Sequence, residues 1–246
     1  EEALFSNVFE SLDLQNEHDL IVVYDNHLLI VEIKATPPRE PLRDPERAFV
    51  RIRDDFRNES GIQGAFNQCQ RLTRAILSGE EVPLFDENGN NVISLHKDTL
   101  LSMFSVCVTK DTFGPLAVDL SLLLDKPEDT SFPWSIGVFD LEFFFEALQY
   151  FSLPPEALLR FLGQRELLHA KAYSFDELAL AGFYLEHGSL QTLIDINAGR
   201  VQLDPKYSDI FDQVYAIRLG YPPPEIEVRP PSFRIFEDRL AIADKK

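Results

Sequence analysis

Sulfur is scarce in this chain. Among 246 residues there are two cysteines, Cys69 and Cys107, and one methionine. The cysteines form no Cys-x-x-Cys pair, so they offer neither a thiol redox motif nor half of a zinc site. They read as core thiols of a reducing compartment. The five histidines stand at no zinc spacing. A glycine-rich phosphate loop is missing, which argues against an NTPase site. No apolar run approaches the length needed to span a bilayer, and no secretory signal is visible. A cytoplasmic protein without a membrane partner is therefore expected. Residue 1 is Glu, not an initiator Met, which leaves open that the natural N-terminus lies upstream.

Basic residues are also few. Lys and Arg number 23 against 41 Asp and Glu, a formal net charge of −18, which is unfavourable for a general nucleic-acid binder. The deficit is uneven. Residues 1–33 carry eight acids and no Lys or Arg, whereas residues 34–74 carry nine bases and six acids. Lys34 is thus the first base of the chain and opens its only net positive stretch. Pro37, Pro38 and Pro41 must leave a strand, since proline removes ladder donors. Arg39, Arg43, Arg47, Arg51, Arg53 and Arg57 follow, and the stretch reads as a mobile loop. Guanidinium forks match phosphate geometry, so Arg51 and Arg53 are candidate nucleic-acid contacts. The plain alternative is solvated ion pairing with Asp44, Glu46, Asp54 and Asp55.

What the chain does have is apolar sequence sufficient for a sizeable core, 45% of its residues. Its centre is the stretch from Asp19 to Lys34. Leu20-Ile21-Val22-Val23-Tyr24 and His27-Leu28-Leu29-Ile30-Val31 flank Asp25-Asn26, a pair that tolerates the positive φ of a two-residue turn. That turn sets Tyr24 opposite His27 and Asp19 opposite Glu32. Alternation then groups Asp19, Glu32 and Lys34 on one face at the open end of the hairpin. Two carboxylates and an ammonium suit metal-dependent phosphodiester chemistry. Hard oxygen donors hold Mg²⁺ (or Mn²⁺), and the lysine orients water and offsets developing charge. The same three residues also read as charges that simply keep a strand end wet.

Asp19…Glu32-Ile33-Lys34 resembles the Asp…(Asp/Glu)-x-Lys signature of the PD-(D/E)XK, or restriction-endonuclease-like, nucleases. The local phrasing Glu17-His18-Asp19-Leu20 and Val31-Glu32-Ile33-Lys34 is most similar to the nuclease-related (NERD-like) branch. His18 stands where proline precedes the Asp in the name-giving motif. The resemblance implies Asp19 and Glu32 as metal ligands and Lys34 as a catalytic residue. Glu17, two residues before Asp19, shares its face if the strand starts that early, which makes it a candidate auxiliary ligand, with a strand-edge charge as the plain alternative. The resemblance also favours Gln68 on the next helix, within Gln68-Cys69-Gln70-Arg71, as a group positioning water or phosphate, with Arg71 as a nucleic-acid contact. Relatives carry a helical Glu before the hairpin; Glu1, Glu2 and Glu10 are the candidates here. The implied activity is divalent-metal-dependent cleavage of nucleic acid, DNA favoured over RNA. The implied setting is defence against foreign DNA, with a sensor ATPase, a helicase or another protein as partner. A non-catalytic scaffold on the same fold and a phosphoesterase for small substrates are the rival readings.

The rest of the chain supplies the frame. A first strand is expected over Asn7–Leu14, with Glu1 to Phe5 as a lead-in or helix tail. A helix is bracketed by Ser60 and Gly79, with Ile62, Ala65, Phe66, Cys69, Leu72 and Ile76 on one face. Asp86 to Asn91 reads as a turn between short strands, Thr99 to Thr109 as a buried strand, and Trp134 to Phe139 as another. From Asp140 the pattern turns helical. The expected architecture is α/β: a mixed central sheet of restriction-endonuclease-like type over residues 1–139, a helical extension packed on it over 140–220, and a proline-rich tail or linker over 221–246.

Overall fold

The computed structural model describes residues 2–37, 43–196 and 199–221. Among these, seven strands form one sheet: β1 (Glu2–Phe9), β2 (Glu17–Tyr24), β3 (His27–Lys34), β4 (Val82–Phe85), β5 (Asn91–Leu95), β6 (Ser102–Thr109) and β7 (Trp134–Gly137). Their order is β5-β4-β1-β2-β3-β6-β7. The sheet is mixed, because β1–β2–β3 is an antiparallel meander while β6 runs parallel to both β3 and β7. Parallel neighbours need a long crossover. Two helices lie in the one between β3 and β6: α1 (Pro45–Arg57) and α2 (Ile62–Leu77). Further helices are α3 (Pro115–Val118), α4 (Val138–Tyr150), α5 (Glu156–Arg165), α6 (Glu177–His187), α7 (Gln191–Ile194) and α8 (Asp209–Arg218). β8 (Ala172–Tyr173) and β9 (Val201–Gln202) make a small separate ribbon. The protein is therefore α/β with a mixed central sheet. No helix among the described residues is long and apolar enough to cross a membrane.

The hairpin forms as its sequence dictates. Asp25 and Asn26 take φ of 44° and 65°, and the ladder runs from Tyr24↔His27 to Leu20↔Val31. One sheet face packs on α2, where Cys69, Leu72 and Ile76 meet Ile21, Leu28 and Ile30. The other face is covered by α4, α5, α6 and α8, which share a single core with Leu29, Val31, Val106, Val108 and Ile136. Within that core Arg165 and Glu177 form a buried ion pair, and the Trp134 indole also donates to Glu177 at 2.9 Å. Asp176 caps α6, and Gly188, at φ 71°, ends it.

Two expectations are corrected. The first strand occupies Glu2–Phe9, not Asn7–Leu14; Phe5 pairs with Ile21 and Val8 with His18, while Leu12 and Leu14 are exposed in the turn that follows. Local alternation alone did not distinguish the paired segment from its neighbour. The arginine-rich stretch is helical from Pro45 on. Asp44 accepts from the Arg47 N–H as the N-cap, Pro45 stands in the first turn, and Ile52 and Phe56 reach the core. Those start signals outweigh the prolines before them. Arg39 and the tail from Pro222 onward lie outside the described residues.

Gly64 lets α2 enter closely. A β-carbon there would stand 1.9 Å from the Glu59 carbonyl oxygen. Ala normally stabilises a helix over Gly by about 1 kcal/mol. Here Gly64→Ala is expected to destabilise by about 1–3 kcal/mol, as overpacking does. An unchanged or higher urea midpoint would contradict this close approach.

Candidate functional site

At the open end of the hairpin the regular pleat breaks. Asn7 takes φ 50°, and no partner is registered between Asn7 and Asp19 although the pairs on either side are. Ile21 and His18 are three residues apart, so regular alternation would put them on opposite faces. Yet both belong to the α2 face: Ile21 packs in its core, and the His18 ring meets Glu32. The break brings His18 inward and sends its neighbour Glu17 outward, where it is exposed.

Asp19 sits at the break. Its Oδ2 accepts the Ile33 N–H at 2.6 Å, just beyond the last registered pair of the β2–β3 ladder. Glu32, 1% exposed, is held through Oε1 by His18 Nδ1 at 2.7 Å. The charges of both Asp19 and Lys34 act on Glu32, the first raising its pKa and the second lowering it. Lys34 Nζ donates to Gln68 Oε1 at 2.6 Å. Asp19, Glu32, Lys34 and Gln68 are thus brought together, and Glu17 is not.

His18 is the residue whose role sequence reasoning missed. Its ring is fully buried, and its second nitrogen, Nε2, lies 2.8 Å from Glu10 Oε1. The same Glu10 oxygen accepts from Arg71 Nε at 3.0 Å. Both ring nitrogens thus lie within hydrogen-bond distance of a carboxylate oxygen, an arrangement that an imidazolium satisfies by donating from both. Burial pulls the His18 pKa down, but the hydrogen bonds to Glu10 and Glu32 outweigh it and leave it raised. Burial pushes Glu10 up, while His18 and Arg71 more than offset this and hold it below its ordinary value. For Glu32 burial wins and its carboxyl is raised. Glu10 had only a family expectation of a helical Glu to mark it; it stands just after β1, in no helix. Its partners are 8 and 61 residues away in sequence.

Arg71 is therefore committed to Glu10, although its Nη2 has no partner among the described residues. Arg51 and Arg53 lie on α1, half-buried, and Arg53 approaches Asp54 at 4.0 Å. A cavity of about 180 Å³ opens beside Lys34, between Thr36, the end of α1 and Gly61 at the start of α2. Both cysteines are buried and free. Burial pushes the Cys107 thiol up to about 12, which suits an inert core thiol.

No group of three or more His, Cys, Asp and Glu in metal-holding geometry occurs among the described residues. The donor set still fits a hard cation. Asp19 Oδ1 and Glu32 Oε2 make no hydrogen bond among the described residues, and Mg²⁺ commonly takes only one or two carboxylates and keeps several waters. Compared with known proteins, the chain matches no family model, no curated protein and no solved structure.

Proposed function

We propose that this chain is a divalent-metal-dependent nuclease on a restriction-endonuclease-like fold, cleaving nucleic acid with DNA favoured over RNA. One observation carries the reading: Asp19, Glu32 and Lys34 lie together at the end of one hairpin, and α2 brings Gln68 onto Lys34 at 2.6 Å. Support for the fold type comes from the hairpin at the centre of a mixed sheet with α2 packed across it. A bound Mg²⁺ or Mn²⁺ would acidify a coordinated water and polarise a phosphoryl oxygen. Asp19 and Glu32 would hold it through Oδ1 and Oε2. Gln68 occupies one of the three ammonium protons of Lys34 and leaves two for water or phosphate. The cavity beside Lys34 gives a phosphate room to approach that ammonium.

A role in defence against foreign DNA, with a sensor or another protein as partner, follows from the same resemblance. The test of the activity is a plasmid digest with Mg²⁺, with Mn²⁺ and with EDTA. Cutting that needs the metal supports the reading, and no cutting under any condition removes it. The contact surface has its own test. Replacing Arg51 and Arg53 together by Ala is expected to weaken DNA binding. The slope of log affinity against log salt should flatten by about 0.9 for each lost phosphate contact. An unchanged slope would place the contact elsewhere.

A second reading is favoured by the burial of Glu32 and its clamp on His18. On that view Glu10, His18 and Glu32 are a structural ion network in a scaffold that does not cut. The digest separates the two readings.

A further inference from the structure

Helix α2 grips the candidate site at two points. Gln68 fixes the ammonium of Lys34. Arg71, three residues on and so on the same side of the helix, donates from Nε to Glu10 Oε1 at 3.0 Å. Glu10 Oε1 in turn lies 2.8 Å from His18 Nε2, and His18 Nδ1 lies 2.7 Å from Glu32 Oε1. An unbroken chain of polar contacts therefore runs from α2, past the end of β1 and through β2, to the carboxylate on β3.

Each link is set by the one behind it. Glu32 is 1% exposed and keeps no hydrogen bond other than that to His18 among the described residues. The orientation of its carboxylate, and with it the direction of Oε2, follows the His18 ring. That ring is fully buried, and its other nitrogen is held by Glu10. One oxygen of Glu10 takes both His18 and Arg71. The ring stands between the Glu10 and Glu32 carboxylates, one on each nitrogen, so the two do not meet at one cation.

We infer that Glu10 is a positioning residue of the metal site: acting through His18, it holds the Glu32 carboxylate in the orientation that leaves Oε2 for a divalent cation. It does so by the reach of its oxygen, not by its charge and not as a ligand. This role rests on the nuclease reading, which supplies the cation. Removing an outer partner of a ligating group commonly costs roughly 10- to 100-fold in metal affinity. Reach and charge can be exchanged separately at this position. Glu10→Gln loses the charge but keeps an oxygen at the same reach, with two lone pairs for His18 and Arg71. Glu10→Asp keeps the charge but draws the carboxylate back by one methylene from a buried ring that cannot follow it.

Calorimetric titration of the full chain with MnCl₂, without nucleic acid, tests this, with Asp19→Asn as the control for a lost ligand. Glu10→Gln should bind Mn²⁺ within about threefold of wild type, and Glu10→Asp about tenfold more weakly or worse. In plasmid cleavage Glu10→Asp should raise the half-saturating Mn²⁺ concentration by the same factor and reach the wild-type rate at saturation, a split that loss of folded protein does not produce. Glu10→Gln binding as weakly as Glu10→Asp, or more weakly, would make Glu10 a required charge or a ligand and overturn the inference. Wild-type affinity in both Glu10 variants, with affinity lost in Asp19→Asn, would overturn it as well and leave the nuclease reading standing. A wild type that binds no Mn²⁺ removes the metal site of that reading, and the role of Glu10 with it.

Discussion

Lys34→Ala is expected to fold, to bind nucleic acid at least as well as wild type, and to cut it roughly two to three orders of magnitude more slowly. The lysine lies at the end of β3 with its ammonium fixed by Gln68. Its removal takes away a positioned cation and leaves both carboxylates in place. Glu32→Gln makes a different lesion of similar size. The amide oxygen keeps the shape and can still accept from His18, but the charge that would hold a cation is gone. Excess Mn²⁺ should partly restore Glu32→Gln by mass action and should do nothing for Lys34→Ala, whose defect is not metal occupancy. Single-turnover cleavage at matched folded concentration measures this. Equal rates for wild type and both variants would end the nuclease assignment and leave the structural network.

His18→Leu is expected to cost about 3–5 kcal/mol of stability, the scale for removing one partner of a buried ion pair. The loss should fall on Glu32, which is 1% exposed and keeps no other hydrogen bond among the described residues. Glu10 still has Arg71. Adding Glu32→Gln should recover part of the loss, because the stranded charge is then gone, and a double-mutant cycle in urea reads the coupling. The pH dependence has a definite sign. His18 is raised in the folded protein, so its contribution is complete below the ordinary imidazole value of 6.5 and fades as pH rises through the higher folded value. The raised Glu32 carboxyl acts in the same direction. Wild type should therefore lose stability above pH 6.5 more steeply than the double variant His18→Leu/Glu32→Gln, in which no stranded Glu32 titrates. Parallel pH profiles for the two proteins would show that His18 is neutral in the fold.

The contrast between Lys34 and His18 marks how far the residues alone could be read. The hairpin was legible because everything it needs is local. Asp25 and Asn26 accept positive φ, period-two alternation runs on both sides, and a two-residue turn leaves one register, which the ladder from Tyr24↔His27 to Leu20↔Val31 follows. Helix α2 was legible for the same reason, since its apolar period of 3.6 and its bounding Ser60 and Gly79 lie within one stretch. These local rules brought Asp19, Glu32 and Lys34 to one end of one hairpin.

Tertiary structure decided what those residues touch. The shift of β1 to Glu2–Phe9 depends on which segment pairs with β2, a choice that alternation in β1 does not encode. The break at Asn7 and Asp19 then reverses the facing of the two residues before Asp19. Glu17, expected inward, lies outside, and His18, noted only as a departure from a motif, becomes the buried bridge between Glu10 and Glu32. Gln63 and Gln70 are alike by sequence and by helical phase; only the path of the segment around Asp125 satisfies one and leaves the Oε1 of the other without a partner among the described residues. Period and turn chemistry act over a few residues, so the sequence carries them openly. A hydrogen bond between groups 61 residues apart depends on strand order, a local break in the pleat and the packing of a helix, and these exist only once the chain has closed on itself.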